Sequence, residues 1–122
     1  MPDKRPSDYA QGWGELIRAH RNFIGISQRA LAYRMKLSER SLSDIEVGRR
    51  SCPPGFLDAV ENVADEFDTD VEKVIEVAQG WTDGMFTVKV DPDPKNEWQR
   101  AVVGRAAVES GKIMPVMEHD NR

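Results

Sequence analysis

Cysteine is almost absent from this sequence of 122 residues: Cys52 stands alone. A single thiol excludes an internal disulfide and any metal site built from several cysteines of one chain. Cys52 is read as a small residue in a loop. Histidine is nearly as scarce, with His20 and His119 far apart and without ligand-spaced partners, so neither is expected to bind metal or catalyse. No histidine, cysteine or paired-carboxylate arrangement has catalytic spacing, and the expectation is a non-enzyme without a cofactor. Long apolar runs are missing too. None approaches the ~20 residues that span a bilayer, and the opening MPDKRPSDYAQGWG has no apolar stretch behind its charges, as a secretory signal would. A cytoplasmic protein with no membrane partner is expected.

An overall excess of positive charge is also lacking, since the net charge is −4. Nucleic-acid binders are commonly basic, so the distribution of charge decides more than its sum. Residues 1–50 carry 10 Lys and Arg against 6 Asp and Glu, a net of +4, whereas residues 51–122 carry 7 against 15, a net of −8. The first half is the one suited to a polyanion.

What is present is a succession of amphipathic segments, with no internal repeat or low-complexity tract. Trp13, Leu16, Ile17, His20 and Ile24 recur at helical spacing and predict a first helix ending near Gly25. Ser27 is placed to cap a second helix, Gln28 to Met35, that buries Leu31 and Met35. Ser38 repeats that role three residues later and opens a third helix through Val47, with Leu42 and Ile45 inward and Gly48 as its stop. Pro53 and Pro54 suit the first turn of a fourth helix with a stripe of Phe56, Leu57, Val60, Val63, Ala64 and Phe67. Thr69 and Glu72 fit a capping box, so a fifth helix is expected over Val71, Val74, Ile75 and Ala78, closed by Gly80.

Beyond Trp81 the period changes. Phe86, Val88 and Val90 alternate with Thr87 and Lys89, as in a half-buried strand. Asp91-Pro92-Asp93-Pro94 ends it, Asn96 can cap a last helix from Glu97 to about Ser110, and Ile113 to Met117 can form a second strand confined to an edge by Pro115. The end of the chain, including His119, is expected to fray. The fold class expected is mainly α: a five-helix bundle over 1–79 plus a strand-helix(-strand) extension over 80–122.

Two short helices joined by about three residues, the second exposing polar side chains, fit a helix-turn-helix. The stretch SQRALAYRMKLSERSLSDIEVGRR, with its Ser-Gln opening, its Leu31-Ala32 pair and its Ile45 to Gly48 ending, resembles the phage Cro/repressor (XRE-type) helix-turn-helix family. The resemblance covers roughly Trp13 to Ala78 and implies a lambda-repressor-like bundle that binds double-stranded DNA. By position it gives Gln28 a phosphate contact that also supports the reading helix, and it pairs Arg21 with Glu46 as a structural brace. It sets Glu39, Arg40, Ser43 and Asp44 at base-facing positions.

Arg40 is the principal candidate reader, because a guanidinium can donate two hydrogen bonds to guanine O6 and N7. Glu39 and Asp44 either hold Arg40 or accept from cytosine N4. Ser41, Arg29, Arg34, Arg49 and Arg50 are candidates for phosphate contacts that fix register, and Ser38, which opens the reading helix, is counted with the DNA-binding residues. Lys4 and Arg5 are candidates for a flexible arm. Lys36 stands where the family usually has glycine. Either the turn differs slightly, or Lys36 accepts a positive φ while its amine reaches phosphate.

Half-sites read by such motifs lie about one helical turn apart, so a two-fold dimer is expected. Phe86, Val88, Val90, Trp98 and Val102 have no place in the bundle, and an unpaired strand needs a partner edge, so residues 80–122 are assigned to dimerisation; packing back on the bundle is the other possibility. The function expected is a sequence-specific, phage-type repressor acting as a homodimer on an inverted repeat. The alternative is an antitoxin-like or protein-interaction module whose bundle binds a protein partner.

Overall fold

The computed structural model describes residues 9–118, so Lys4, Arg5 and His119 lie outside the described residues. The chain is mainly helical with one small sheet. Its compact units divide at Asp65 and Glu66.

In the first unit, α1 (Tyr9–Ile24) buries Ile17 and Ile24, while Leu16, expected to be inward, is 45% exposed. Gly25, at φ +90°, stops the helix. Helix α2 (Gln28–Met35) buries Leu31 and Ala32, with Met35 half-buried, and its cap forms as expected: the Ala30 N–H donates to Ser27 Oγ at 3.1 Å. Helix α3 (Glu39–Glu46) opens in the same way, Ser41 N–H donating to Ser38 Oγ at 3.0 Å, and buries Leu42, Ile45 and Glu46. Helix α3 packs on both α1 and α2.

Pro53 and Pro54 lie in the turn before the next helix rather than inside its first turn, with the Phe56 N–H closing that turn on the Pro53 carbonyl at 3.0 Å. Two helices were expected from there to Gly80. There is one, α4 (Phe56–Gln79). Thr69 and Glu72 are exposed residues inside it, not a capping box. The physical reason is that neither glycine nor proline interrupts residues 67–71, and a mid-helix threonine costs only a few tenths of a kcal/mol. The buried positions Val60, Val63, Phe67, Val71 and Ala78 moreover stay in helical phase throughout. The division between the units falls within α4, whereas the sequence suggested a boundary after residue 79.

In the second unit, β1 (Phe86–Val90) and β2 (Ile113–Met117) pair in parallel, Phe86 opposite Ile113 and Val90 opposite Met117. Parallel neighbours need a crossover, which α5 (Glu97–Ser110) supplies. Helix α5 packs on both strands and buries Val102, Val103 and Ala106. Asn96 makes no side-chain cap. A 3-10 turn, Pro94–Asn96, starts the helical path earlier, with Asp93 Oδ1 accepting from the Lys95 N–H at 3.0 Å, so Asn96 is already within a turn and donates instead to Asp91 Oδ2 at 2.9 Å. Gly111, at φ +67°, ends α5. Among the described residues no helix is long and apolar enough to cross a membrane.

Candidate nucleic-acid interface

The positions singled out in the first unit gather around α2, α3 and the turn between them. That turn is made by Lys36 at φ 62°, ψ 44°, the only non-glycine residue with positive φ among those described. Its N–H reaches the Tyr33 carbonyl at 3.2 Å, and the Leu37 N–H reaches Ala32 at 3.0 Å. These are the paired bonds of a Schellman ending, which ordinarily has glycine at the left-handed position. Of the two possibilities the sequence left open, Lys36 accepts the strain.

The buried end of α3 is fixed by an ion pair. Arg21 Nε donates to Glu46 Oε2 at 2.8 Å and Nη2 to Oε1 at 2.9 Å, while Nη1 donates to the Ile26 carbonyl at 3.1 Å. Gln28 Nε2 donates to Glu46 Oε1 at 3.0 Å. One carboxylate therefore ties the end of α1, the start of α2 and the end of α3. The Glu46 side chain is 1% exposed and Arg21 13%, and no buried side-chain polar atom among the described residues lacks a partner. Such a pair adds little net stability over an apolar substitute, but it makes the geometry specific, because either partner alone would be a buried unpaired charge.

Gly14 completes the brace, and the sequence reading missed it. A Cβ built there would collide with the Ile45 carbonyl oxygen and lie 2.7 Å from that of Glu46. Helix α1 therefore runs against the last turn of α3 with no room for a methyl group. The signal was available, since a glycine inside an amphipathic helix is unfavourable unless close packing needs it.

The opposite face of α3 is open. Glu39 and Arg40 are exposed, and Ser43 and Asp44 are half-buried. The Asp44 carboxylate lies between two arginines: Arg49 Nη1 donates to Oδ1 at 2.8 Å, and Arg40 Nε lies 3.9 Å from Oδ2. Asp44 was expected either to hold Arg40 or to accept from cytosine; its hydrogen bond goes to Arg49 instead, with Arg40 at ion-pair distance. The Asp44 carbonyl also accepts from the Arg49 and Arg50 N–H groups at 2.8 and 3.1 Å, which folds the basic pair back beside the helix end. Ser38 Oγ donates to Ser41 Oγ at 2.9 Å. Arg29, Arg34, Lys36 and Arg50 are all exposed, as is Tyr33 on α2, which the sequence reading did not select.

The five side chains assigned to dimerisation are placed differently. Val90 and Val102 are buried within the second unit, and Phe86 and Val88 are half-buried. Trp98 and Phe67 form a T-shaped pair, ring centroids 5.2 Å apart and planes at 87°, and Trp98 Nε1 donates to Asp70 Oδ2 at 2.9 Å. Arg105 lies 5.5 Å from the Phe67 ring centre. The strand that seemed to require a foreign edge is paired with β2 of its own chain.

No group of His, Cys, Asp and Glu among the described residues could hold a metal ion. No family model matches the chain, and no curated protein or solved structure matches it significantly.

Proposed function

We propose that the chain is a sequence-specific double-stranded DNA-binding regulator of the Cro/repressor (XRE-type) kind, acting as a homodimer on an inverted repeat in the manner of a phage repressor. In this reading α2 and α3 are the helix-turn-helix of a repressor-like bundle in which α4 takes the place of the two helices expected there. The observation that carries it is the Arg21–Glu46–Gln28 network: it fixes α3 from its buried end while Arg40, 86% exposed, is left on the outer face. A reading head needs this combination of a rigid support and free polar tips.

Arg40 reads a base, and Arg29, Arg34, Lys36, Arg49 and Arg50 contact phosphates. Two carboxylates on a DNA-facing helix would ordinarily repel the backbone. The bond from Arg49 to Asp44 offsets one of them, so the face presents less negative charge than its sequence suggests. Selection from random DNA tests the assignment. Wild type enriches an inverted repeat, Arg40→Ala loses about 1–3 kcal/mol of discrimination at one position of each half-site, and Arg49→Ala weakens binding to all sequences and lowers the salt slope by about 1. An equal effect of both variants on every sequence would rule out Arg40 as the reader.

The acidic balance of residues 51–122, 15 carboxylates against 7 cations, favours a second reading, an antitoxin-like module that binds a protein. That reading gains if no site is enriched while the product of a neighbouring gene co-purifies.

A further inference from the structure

The Asp44 carboxylate stands between two arginines that have different tasks in the proposed complex. Its Oδ1 accepts from Arg49 Nη1 at 2.8 Å, and its Oδ2 lies 3.9 Å from Nε of Arg40, one turn earlier on α3. The Asp44 carbonyl also accepts from the Arg49 and Arg50 N–H groups, so the backbone that carries Arg49 is fixed by the same residue. The Asp44 side chain is 19% exposed, against 69% for Arg49 and 86% for Arg40. The carboxylate is thus seated against the helix, and the arginines are the groups that reach into solvent.

A carboxylate on a DNA-facing surface lowers attraction to every duplex, whatever its sequence. The same charge restrains the arginines beside it. An unrestrained arginine gives up rotamer freedom when it binds, and Arg40, left alone, can satisfy its charge on any phosphate within reach. Within the DNA-binding function proposed above, on which this role depends, we infer that Asp44 is a positioning residue that sets sequence specificity: it holds Arg49 for phosphate and draws Arg40 toward the base-facing side, which lowers affinity for DNA in general and raises discrimination at the base pair Arg40 reads. The hold on Arg49 survives the meeting with phosphate, because the bond to Asp44 uses only one of the guanidinium's N–H donors. The hold on Arg40 is looser. At 3.9 Å the pair is electrostatic and not hydrogen-bonded, so Arg40 passes to guanine O6 and N7 with little to give up. Exposed pairs of this kind shift an equilibrium by up to about fivefold, which sets the scale of the effect.

Binding of the full chain to three duplexes tests this by fluorescence anisotropy: the site selected from random DNA, that site with the base pair read by Arg40 exchanged, and an unrelated sequence. Asp44→Ala is expected to bind the unrelated duplex more tightly than wild type does. It is also expected to lose about two- to fivefold of its discrimination, at the same base pair where Arg40→Ala loses it. In an Arg40→Ala chain the same change at Asp44 still raises general affinity and alters no discrimination. Asp44→Asn keeps an acceptor for Arg49 without the charge, so it shares the gain in general affinity and retains more discrimination than Asp44→Ala. A residue that merely supported the fold would, when replaced, weaken binding to every duplex and lower the unfolding temperature. Unchanged discrimination in Asp44→Ala, weaker binding of that variant to unrelated DNA, or an Asp44→Asn chain that discriminates no better than Asp44→Ala overturns the inference and leaves the DNA-binding function in place. So does a loss at a base pair that Arg40→Ala leaves untouched, which would make Asp44 a reader of cytosine itself. A wild-type chain that prefers no sequence ends the DNA-binding function, and this role of Asp44 with it.

Discussion

Gly14 of α1 lies so close to the backbone of Ile45, at the end of α3, that a β-carbon added to it would overlap the Ile45 carbonyl oxygen. Two opposed terms decide what a substitution does there. Gly14→Ala would favour the helix by about 1 kcal/mol, but a clash with backbone is relieved only by moving a helix, at about 1–3 kcal/mol or more. The steric term wins because the obstacle is a carbonyl and not a flexible side chain. Gly14→Ala is therefore expected to lower stability in urea denaturation; a gain in stability would show that α1 does not approach α3 this closely.

The Arg21–Glu46 pair gives the second prediction. Arg21→Ala leaves the buried Glu46 carboxylate with Gln28 as its remaining side-chain donor, and the loss expected is roughly 3–5 kcal/mol. Glu46→Ala leaves the guanidinium uncompensated and costs a similar amount. Replacing both residues with apolar ones of similar volume, as in Arg21→Met/Glu46→Leu, recovers much of the loss, because no unpaired charge remains. A double-mutant cycle by denaturant unfolding measures this, and additive losses would show that the two side chains do not act as a pair.

Lys36 supplies a prediction of opposite sign. Its left-handed conformation costs a residue with a β-carbon about 1 kcal/mol, so Lys36→Gly is expected to raise stability by up to that amount, slightly reduced by glycine's greater freedom in the unfolded chain. If its amine also contacts phosphate, as proposed, the same variant binds DNA more weakly at low salt while unfolding at higher temperature. Thermal unfolding and a salt titration of binding separate the two effects, and a stability loss would contradict the left-handed turn.

The residues that announced themselves in the sequence were those whose roles are local. Ser27 and Ser38 cap the helices they precede because capping needs only a hydroxyl and the next three residues, and Pro115 marked β2 as an edge because a missing N–H has one meaning in a ladder. The resemblance added Arg21 with Glu46, a contact 25 residues apart that no local rule supplies. Less legible were features that depend on tertiary neighbours. Leu16 fits the apolar period of α1 yet is exposed, since period alone does not set the width of the buried stripe. The pairing of β1 with β2 could not be separated in advance from pairing with another chain, because either satisfies the same backbone groups.

Thr69 shows how one local signal can be overruled, and it can be tested by sign. As the cap of a new helix, its hydroxyl would hold unpaired N–H groups, and Thr69→Ala would cost about 1 kcal/mol. Inside the continuous helix α4 those N–H groups bond to carbonyls of the preceding turn, and the exposed threonine contributes only its lower helix propensity. Alanine then gains a few tenths of a kcal/mol, up to ~0.7. The expected result is a small rise in the unfolding midpoint of Thr69→Ala, whereas Thr69→Gly, which penalises a helix interior far more than a cap, lowers it. A fall for alanine together with near-neutrality for glycine would mean that the chain breaks at Thr69 into the two helices its sequence suggests.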